Sequence, residues 1–454
     1  MILSLLAATA LAGPSPECAL PDVLSALQGN GPAPHAVALE PPWALRARSD
    51  PAPPDGRPIQ GTRMDHHVDS EHFTVAWTDG RGDETSANAA SDALERAWVA
   101  LVDEHGFRAP VSSEDFLLWV VLEPDLGAVG LTTEYENGRY PEGYPVIFLD
   151  PSWATDVEFW ESVVTHEFAH AIQFAYRDYS GSSGEEREPW YWEASAEWSV
   201  ALARPDLEVY AASSRHYATA TAEPHWVMQD AHQYGMFVVN AYLEENVAGA
   251  GSMRAVWEAG ARRADQAWHA LIAEEAGRPP AAVFGGAAVS YAMGQLADSE
   301  LYWPATSSGP VEDGATGTVG WLGARLFVAD ADATVAVNAT QGGVNLAAPG
   351  EVGRTVQIRA GEVLAVVGTQ DRENGFVLDI SPPVSGGGGS SPGGEDERSV
   401  ESGVSSGFGS EPAAGCASVP GRPRMPMGFC FLGISAFACL RMRATGPCAS
   451  RHSV

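Results

Sequence analysis

The pattern of apolar and polar positions divides the chain into a strand-rich segment, a helical segment and a second strand-rich segment. Alternation over His72–Trp77 and apolar runs at 116–122 and 146–149 predict strands, whereas spacing near 3.6 residues predicts helices. The predicted helices cover approximately residues 87–107, 156–178, 190–203, 229–245 and 265–276. Strands followed by helices are typical of an α+β domain, which we place at residues 65–305.

The periodicity changes again after residue 316. Short apolar runs alternate with turn residues, and they cover residues 325–328, 334–337, 355–358, 363–367 and 376–380. This spacing is typical of short antiparallel strands. We therefore predict a small β-sandwich domain at residues 316–382.

The N-terminal segment differs from both predicted domains. Residues 1–12 form a short apolar run that ends in Ala10-Leu11-Ala12. Signal peptidase accepts small residues at the first and third positions before its cleavage site, and the two alanines fit this pattern. Residues 13–64 are rich in proline and alanine, and we interpret them as a pro-segment or spacer. The alternative for the apolar run is a buried N-terminal helix.

The C-terminal segment combines a linker with an apolar tail. Residues 383–413 are rich in glycine and serine, which predicts a flexible linker. The tail at 414–454 contains an apolar run over 427–440, which as a helix would span about 21 Å, short of the roughly 30 Å hydrocarbon core of a bilayer. An independent transmembrane anchor is therefore not favoured.

One string in the second predicted helix carries metal-binding chemistry. His166 and His170 are four residues apart, so a helix presents both imidazoles on one face, as a zinc site requires. Glu167 would lie beside the open coordination position and accept a proton from a metal-activated water. Thr155 and Glu158 are typical of a capping box that starts this helix. The alternative is an amphipathic helix with two surface histidines.

The next predicted helix supplies a third ligand. Pro189 suits a helix start, and Glu193 and Glu197 then share one face. A catalytic zinc site needs three protein ligands and one open position, so we predict Glu193 as the third ligand. Glu197 would accept a hydrogen bond from a liganding histidine and fix its tautomer. The alternative, a solvated acidic face, is disfavoured by the flanking tryptophans and alanines.

These two helical elements resemble those of the gluzincin superfamily of zinc peptidases, in which the first glutamate ligates zinc and the acidic residue four positions later supports a histidine. The segment at about 65–300 is also similar to secreted bacterial metalloproteases, through the strings 70–73, 166–173, 192–196 and 234–235. The resemblance implies a catalytic domain with a mixed sheet and a helical part. It also implies Zn²⁺ and a protein or peptide substrate. The exopeptidase pattern G-x-M-E-N is absent, which favours an endopeptidase.

The resemblance further implies a tyrosine or histidine that stabilises the tetrahedral oxyanion. The candidates are His232 and Tyr234, and we favour Tyr234 because it leads an apolar helix toward the core. A core tyrosine beside a surface histidine is the alternative.

The net charge and the cysteine positions exclude some classes of partner and of metal ligand. A formal net charge of -33 argues against a nucleic-acid partner, because phosphates would be repelled. No cysteine lies between Cys18 and Cys416, which excludes thiolate ligands from the predicted domains. Asp330 and Asp332 could contribute to a Ca²⁺ site, with an ordinary acidic turn as the alternative.

The tail adds an expectation about location. Gly415-Cys416, the apolar run and the arginines that follow it are similar to the C-terminal sorting signal of myxobacterial surface proteins. The resemblance implies a tail that contacts the membrane before processing and a protein that is secreted or held at the bacterial cell surface.

The leading interpretation is a zinc endopeptidase of extracellular proteins, with Glu167 as general base. The alternatives are a catalytically inactive, metallopeptidase-like surface adhesion or binding protein and a purely structural β-rich surface protein.

Overall fold

The computed structural model describes residues 58–59, 62–111, 113–114, 117–124, 126, 128–135, 144–176 and 189–383. The predicted signal peptide, most of the pro-segment, the sorting tail and all but the first residue of the linker lie outside these residues. All five cysteines lie outside them as well.

The N-terminal part of the described chain forms a mixed sheet. A two-stranded pair precedes it, formed by β1 (Pro58–Ile59) and β2 (Thr62–Arg63). The sheet has five strands, namely β3 (His66–Asp69), β4 (Phe73–Trp77), β5 (Leu118–Leu122), β6 (Gly130–Tyr135) and β7 (Tyr144–Leu149). Their order is β3-β4-β5-β7-β6, with β4, β5 and β7 parallel and the outer strands antiparallel. The parallel strands are apolar runs because both of their faces are buried.

The helices lie between and after the strands of this sheet. In chain order they are α1 (Glu84–Trp98), α2 (Val157–Gln173), α3 (Pro189–Ala203), α4 (Ser214–Ala220), α5 (His232–Gly235), α6 (Phe237–Tyr242), α7 (Ser252–Arg262), α8 (Trp268–Glu275) and α9 (Pro280–Ala292). Short 3₁₀ turns lie at Pro151–Trp153, Glu208–Ser213 and Gln229–Ala231, and π-helical turns extend α1 and α6 over Val99–Glu104 and Leu243–Val247. Among the described helices, none is both long and apolar enough to cross a bilayer.

Two local predictions about the helices were wrong. The N-cap of α2 is Asp156, whose carboxylate accepts a hydrogen bond from the Phe159 backbone at 3.3 Å, and not Thr155. The single helix predicted over 229–245 is broken, because Asp230 and Ala231 adopt left-handed conformations with φ of 54° and 60°. Since a left-handed residue cannot continue a right-handed helix, the helical conformation restarts at α5.

The C-terminal part is a pair of packed antiparallel sheets. The strands are β8 (Thr316–Val319), β9 (Ala324–Val328), β10 (Ala333–Gln341), β11 (Val344–Ala348), β12 (Glu351–Gly353), β13 (Thr355–Ile358), β14 (Val363–Gly368) and β15 (Asn374–Ser381). One sheet has the order β13-β10-β15-β8 and the other β12-β11-β14-β9. A mixed sheet with helices followed by separate antiparallel sheets confirms the coarse fold prediction.

The second of these sheets has both faces buried. Along β14, Leu364 and Val366 point into the core between the two sheets, whereas Ala365 and Val367 belong to the core shared with the helices. This alternation explains why β14 is an unbroken apolar run. One face of this sheet therefore belongs to the core of the helical part, and the other face belongs to a separate core between the two sheets.

The two parts approach each other closely at Gly285 of α9. A Cβ added there would lie 2.7 Å from Val367 Cγ2 and 2.8 Å from the Cβ of Ala347. In a helix exposed to solvent, Gly→Ala stabilises by about 0.5–1 kcal/mol. We expect the opposite sign for Gly285→Ala, with a loss of about 1–3 kcal/mol from overpacking, measured by urea unfolding.

A second substitution, at Val367, tests whether the loss arises from the contact with Gly285. In the double variant Gly285→Ala, Val367→Ala, the shortened side chain makes room, so the loss should be smaller than the sum of the two single losses. A Gly285→Ala variant that is more stable than the wild type would contradict the packing described.

Candidate metal centre

The orientation of α2 is set by an aromatic contact on the side opposite its histidines. Phe168 is fully buried, with its ring centroid 5.3 Å from Phe73 of the sheet and 5.9 Å from Trp98 of α1. Because successive helical residues turn by about 100°, a residue two positions from both His166 and His170 projects to the opposite face. Packing of Phe168 on the sheet therefore directs both imidazoles toward α3.

Three potential ligand atoms converge where α2 meets α3. The Nε2 atoms of His166 and His170 are 3.1 Å apart, and Glu193 Oε2 lies 3.2 Å from the first and 3.5 Å from the second. Ligand atoms about 2.0–2.2 Å from one tetrahedral ion are separated by about 3.3–3.6 Å. The group therefore has the size of one face of a metal tetrahedron, and it could hold a metal ion.

The surroundings of this group favour a positive charge. Burial alone would lower the pKa of His166, but hydrogen bonds and charge from Glu193 and Glu197 raise this pKa to about 10. Burial would raise the pKa of Glu193, yet the charge of His170 and hydrogen bonds from both histidines lower it to about 2. Glu193 is 1% exposed and His170 is fully buried. A buried carboxylate needs a compensating cation, and a divalent ion bound here would replace the proton.

Glu197 orients the first histidine. Its Oε2 lies 3.2 Å from His166 Nδ1, and its Oε1 accepts a hydrogen bond from the Ser213 hydroxyl at 2.6 Å. A carboxylate on Nδ1 holds a histidine with Nε2 free to ligate, as the sequence suggested for Glu197. Ser213 was not anticipated, since nothing in the sequence relates it to α3.

Glu167 directly follows His166 on α2, and its side chain is held by the edge strand β6. The hydroxyl of Thr132 lies 2.8 Å from Glu167 Oε2 and 2.8 Å from the Glu167 backbone carbonyl. The side chain of Glu167 is 1% exposed, and its Oε1 has no hydrogen-bond partner within the described residues. Gly130 makes room for it, because a Cβ at that position would come within 2.7 Å of Oε1.

Sequence reasoning missed two residues that contact this centre. Thr132 is 35 residues from Glu167 in the chain, on a strand whose pattern was not recognised, so no local signal pointed to it. Gln173 places its Oε1 2.8 Å from His170 Nδ1. Its position three residues after His170 puts both side chains on one helical face, and this signal was available in the sequence.

The two candidate oxyanion donors occupy different surroundings. The Tyr234 ring is 7% exposed, and its centroid lies 5.8 Å from that of His166. His232 stacks on Tyr217 with centroids 6.3 Å apart, its Nδ1 lies 3.5 Å from the His216 carbonyl, and burial lowers its pKa to about 4. The structure thus brings Tyr234 beside a candidate ligand, whereas the contacts described for His232 are with α4.

The segment that leads into Tyr234 is strained. Asp230 and Ala231 have positive φ although neither is glycine, and such residues cost on the order of 1–3 kcal/mol each. Gly235, the residue after Tyr234, lies so close to α4 that an added Cβ would overlap the backbone nitrogen of Tyr217. The position of Tyr234 is therefore fixed from both sides.

The acidic turn of the β-sandwich does not form a comparable group. Asp332 Oδ1 accepts a hydrogen bond from the Ala360 backbone at 2.9 Å, as in an ordinary turn. Among the described residues, the donors of His166, His170 and Glu193 are the one convergent group of at least three His, Cys, Asp or Glu side chains.

Comparison with known proteins identifies one family. The model described as "Family of unknown function (DUF6055)" matches residues 54–271. The match contains the mixed sheet, α2, α3 and Tyr234, and it ends within α8, so the chain is similar to this family over the segment that holds the candidate centre. No curated protein matches the chain. Function is therefore argued from the geometry of the site.

Removal of one donor at a time tests the centre. We expect the wild-type protein to bind one divalent metal ion per chain. Glu193→Gln preserves shape but removes charge, so it should weaken zinc affinity by more than the roughly 10–100-fold typical of an outer-sphere change, whereas Glu197→Gln should fall within that range. Elemental analysis and competition with a chromogenic chelator measure both quantities.

The matched control is His67→Ala, which removes an exposed histidine and should leave metal content unchanged. Equal zinc binding by the wild type and Glu193→Gln would exclude Glu193 as a ligand.

Proposed function

We propose that this chain is a zinc-dependent endopeptidase of the gluzincin type, with a gluzincin-like catalytic domain. The observation that carries the proposal is the position of Glu167. Glu167 directly follows His166 on α2, its carboxylate is buried, and among the described residues its Oε1 has no hydrogen-bond partner. A buried oxygen without a partner costs stability, and catalytic centres are where such groups are retained.

The donor set supports zinc among the divalent ions. Two imidazole nitrogens and one carboxylate oxygen are the ligands of catalytic zinc sites that keep one position open. Magnesium and calcium prefer sites built from oxygen donors alone. His166, His170 and Glu193 would hold the ion, and Glu197 would orient His166.

The proton transfers of peptide hydrolysis can be assigned to Glu167. Zinc, when bound, supplies a Lewis acid that acidifies a water molecule and polarises the scissile carbonyl. Glu167 Oε1 accepts the proton of the attacking water as its oxygen bonds to the carbonyl carbon. Glu167 then donates that proton to the amide nitrogen as the C–N bond breaks, which returns the carboxylate to its starting state. The Thr132 hydroxyl keeps the other carboxylate oxygen in place.

Two further features support a peptide substrate. Tyr234 lies beside His166, where its hydroxyl can donate to the developing oxyanion. Strand β6 is the outermost strand of the sheet and carries Thr132. An extended peptide that paired with β6 would pass the Glu167 carboxylate, and such pairing recognises main-chain groups that every peptide shares.

We infer that the enzyme acts on extracellular proteins, either after secretion or at the bacterial cell surface. The support lies in the apolar start of the chain and in its Gly-Cys, apolar and arginine tail.

The role of Glu167 is tested by Glu167→Gln, which retains size but removes the base. We expect hydrolysis of casein by the wild type to stop on addition of 1,10-phenanthroline. Glu167→Gln should lower kcat by about 10²–10⁴-fold while metal content stays at the wild-type level. Glu158→Gln, an exposed glutamate on the same helix, is the matched control and should retain full activity.

The peptidase proposal fails if the metal-loaded wild type cleaves neither casein nor a peptide library. That result would favour a binding protein on a peptidase-like scaffold.

Substitution of the two aromatic candidates separates their roles. Tyr234→Phe removes only the hydroxyl, so it should lower kcat by about 10²–10³-fold with little change in KM. His232→Gln should act mainly through stability, because its ring packs on α4. A kcat loss confined to His232→Gln, with Tyr234→Phe fully active, would reverse the assignment.

A further inference from the structure

Gln173, the last residue of α2, makes contacts that the proposed reaction does not use. It is 3% exposed, and its Oε1 lies 2.8 Å from His170 Nδ1. Its Nε2 lies 2.9 Å from the Trp192 carbonyl oxygen and 3.1 Å from Ser195 Oγ, both on α3. One amide therefore connects a candidate ligand on α2 to the backbone of α3.

The orientation of this amide is fixed by the Trp192 carbonyl. A carbonyl oxygen only accepts hydrogen bonds, so the group that faces it must be the Gln173 NH₂. Rotation of the amide by 180° would place two oxygens about 2.9 Å apart in a buried site, which is repulsive. Oε1 of Gln173 must therefore face His170.

The neighbouring hydroxyl leads to the same assignment. Ser195 has one hydroxyl proton, and it donates this proton to the Tyr191 carbonyl at 2.6 Å. Its oxygen then accepts hydrogen bonds from Gln173 Nε2 at 3.1 Å and from Trp257 Nε1 at 3.2 Å. With these assignments every N–H and O–H proton in the network has an acceptor, so only one orientation of the Gln173 amide fits all of the hydrogen bonds.

The tautomer of His170 follows. Gln173 Oε1 is an acceptor, so His170 Nδ1 carries the proton and donates it. Nε2 is then the nitrogen of His170 that can ligate a metal ion, and it lies 3.5 Å from Glu193 Oε2 and 3.1 Å from His166 Nε2. We propose that Gln173 is a positioning residue that sets the tautomer and ring orientation of His170 for metal binding. This inference rests on the metal centre of the proposed function.

Gln173 also fixes the spacing between two ligands. The Trp192 carbonyl belongs to the peptide bond that precedes Glu193, so the same amide holds the His170 ring and the backbone of the third ligand. The two histidines are oriented by different groups, a carboxylate for His166 and a neutral amide for His170. A neutral partner orients His170 without adding another carboxylate to those of Glu167, Glu193 and Glu197.

The test compares three variants of the full chain by zinc affinity, measured with a competing chromogenic chelator. Gln173→Met keeps length and helix propensity but removes the acceptor, so affinity should fall about 10–100-fold. Gln173→Glu retains an oxygen that accepts from His170 Nδ1, but it sets its second oxygen against the Trp192 carbonyl and adds a buried charge. It should therefore lower the melting temperature, while its zinc affinity should fall less than that of Gln173→Met. Ser199→Ala removes a buried hydroxyl that bonds to the Ser195 carbonyl, and it should leave zinc affinity unchanged.

The absorption spectrum of the cobalt-substituted protein gives a second readout. Gln173→Met should shift the visible bands, because the His170 ring is no longer held, whereas Ser199→Ala should not. A purely structural role would change the melting temperature but would leave both readouts unchanged. Folded Gln173→Met that binds zinc as tightly as the wild type would overturn the proposal.

A variant that fails to fold does not end the test. In the zinc-loaded wild type, long-range ¹⁵N–¹H NMR should show His170 protonated at Nδ1, and ligation through Nδ1 would overturn the proposal. A wild type that binds zinc without cleaving casein would reject the peptidase and leave this inference standing. A wild type that binds no zinc would reject both.

Discussion

The approach of α3 to α2 is the constraint on which the centre depends. It places a buried carboxylate, Glu193, within 3.5 Å of two imidazole nitrogens. Burial of a charge is unfavourable unless it is paired, so this arrangement is stable only with a positive charge between the groups. Both the orientation of α2 by Phe168 and the glutamine that joins the helices maintain this one contact. A metal ion bound between these three side chains would supply the positive charge that the buried carboxylate requires.

The rest of the fold keeps the centre rigid. Aromatic rings surround α3, with Trp192 centroids 5.3 Å from Phe174 and 5.2 Å from Trp257. One face of the sheet β12-β11-β14-β9 packs on α9 and belongs to the core of the helical part. In the proposed peptidase, preorganisation of this kind would place the ligands, the base and the tyrosine before substrate arrives. The strain at Asp230 is consistent with a position of Tyr234 that the surrounding structure imposes.

Sequence alone predicted that His166, His170 and Glu193 come together, because the pattern that indicates this lies within two short segments of the chain. Helical periodicity puts His166 and His170 on one face, and a proline start and apolar flanks identified a buried helix with Glu193. The order of strands and helices predicted the coarse fold, and the apolar run at 363–367 predicted the strand β14. Thr132 could not be predicted, because its contact with Glu167 depends on strand pairing between distant segments. The break at Ala231 was equally hidden, since neither glycine nor asparagine marks it.

The most direct test is the crystal structure of the zinc-loaded protein with anomalous diffraction measured on both sides of the zinc absorption edge. The account predicts one anomalous peak between α2 and α3, about 2.0–2.1 Å from Nε2 of His166 and His170 and about 2.0–2.2 Å from a Glu193 oxygen. Glu167 should lie near the peak without ligating it. A peak at any other position, or Glu193 turned away from an ion bound by the histidines, would contradict it.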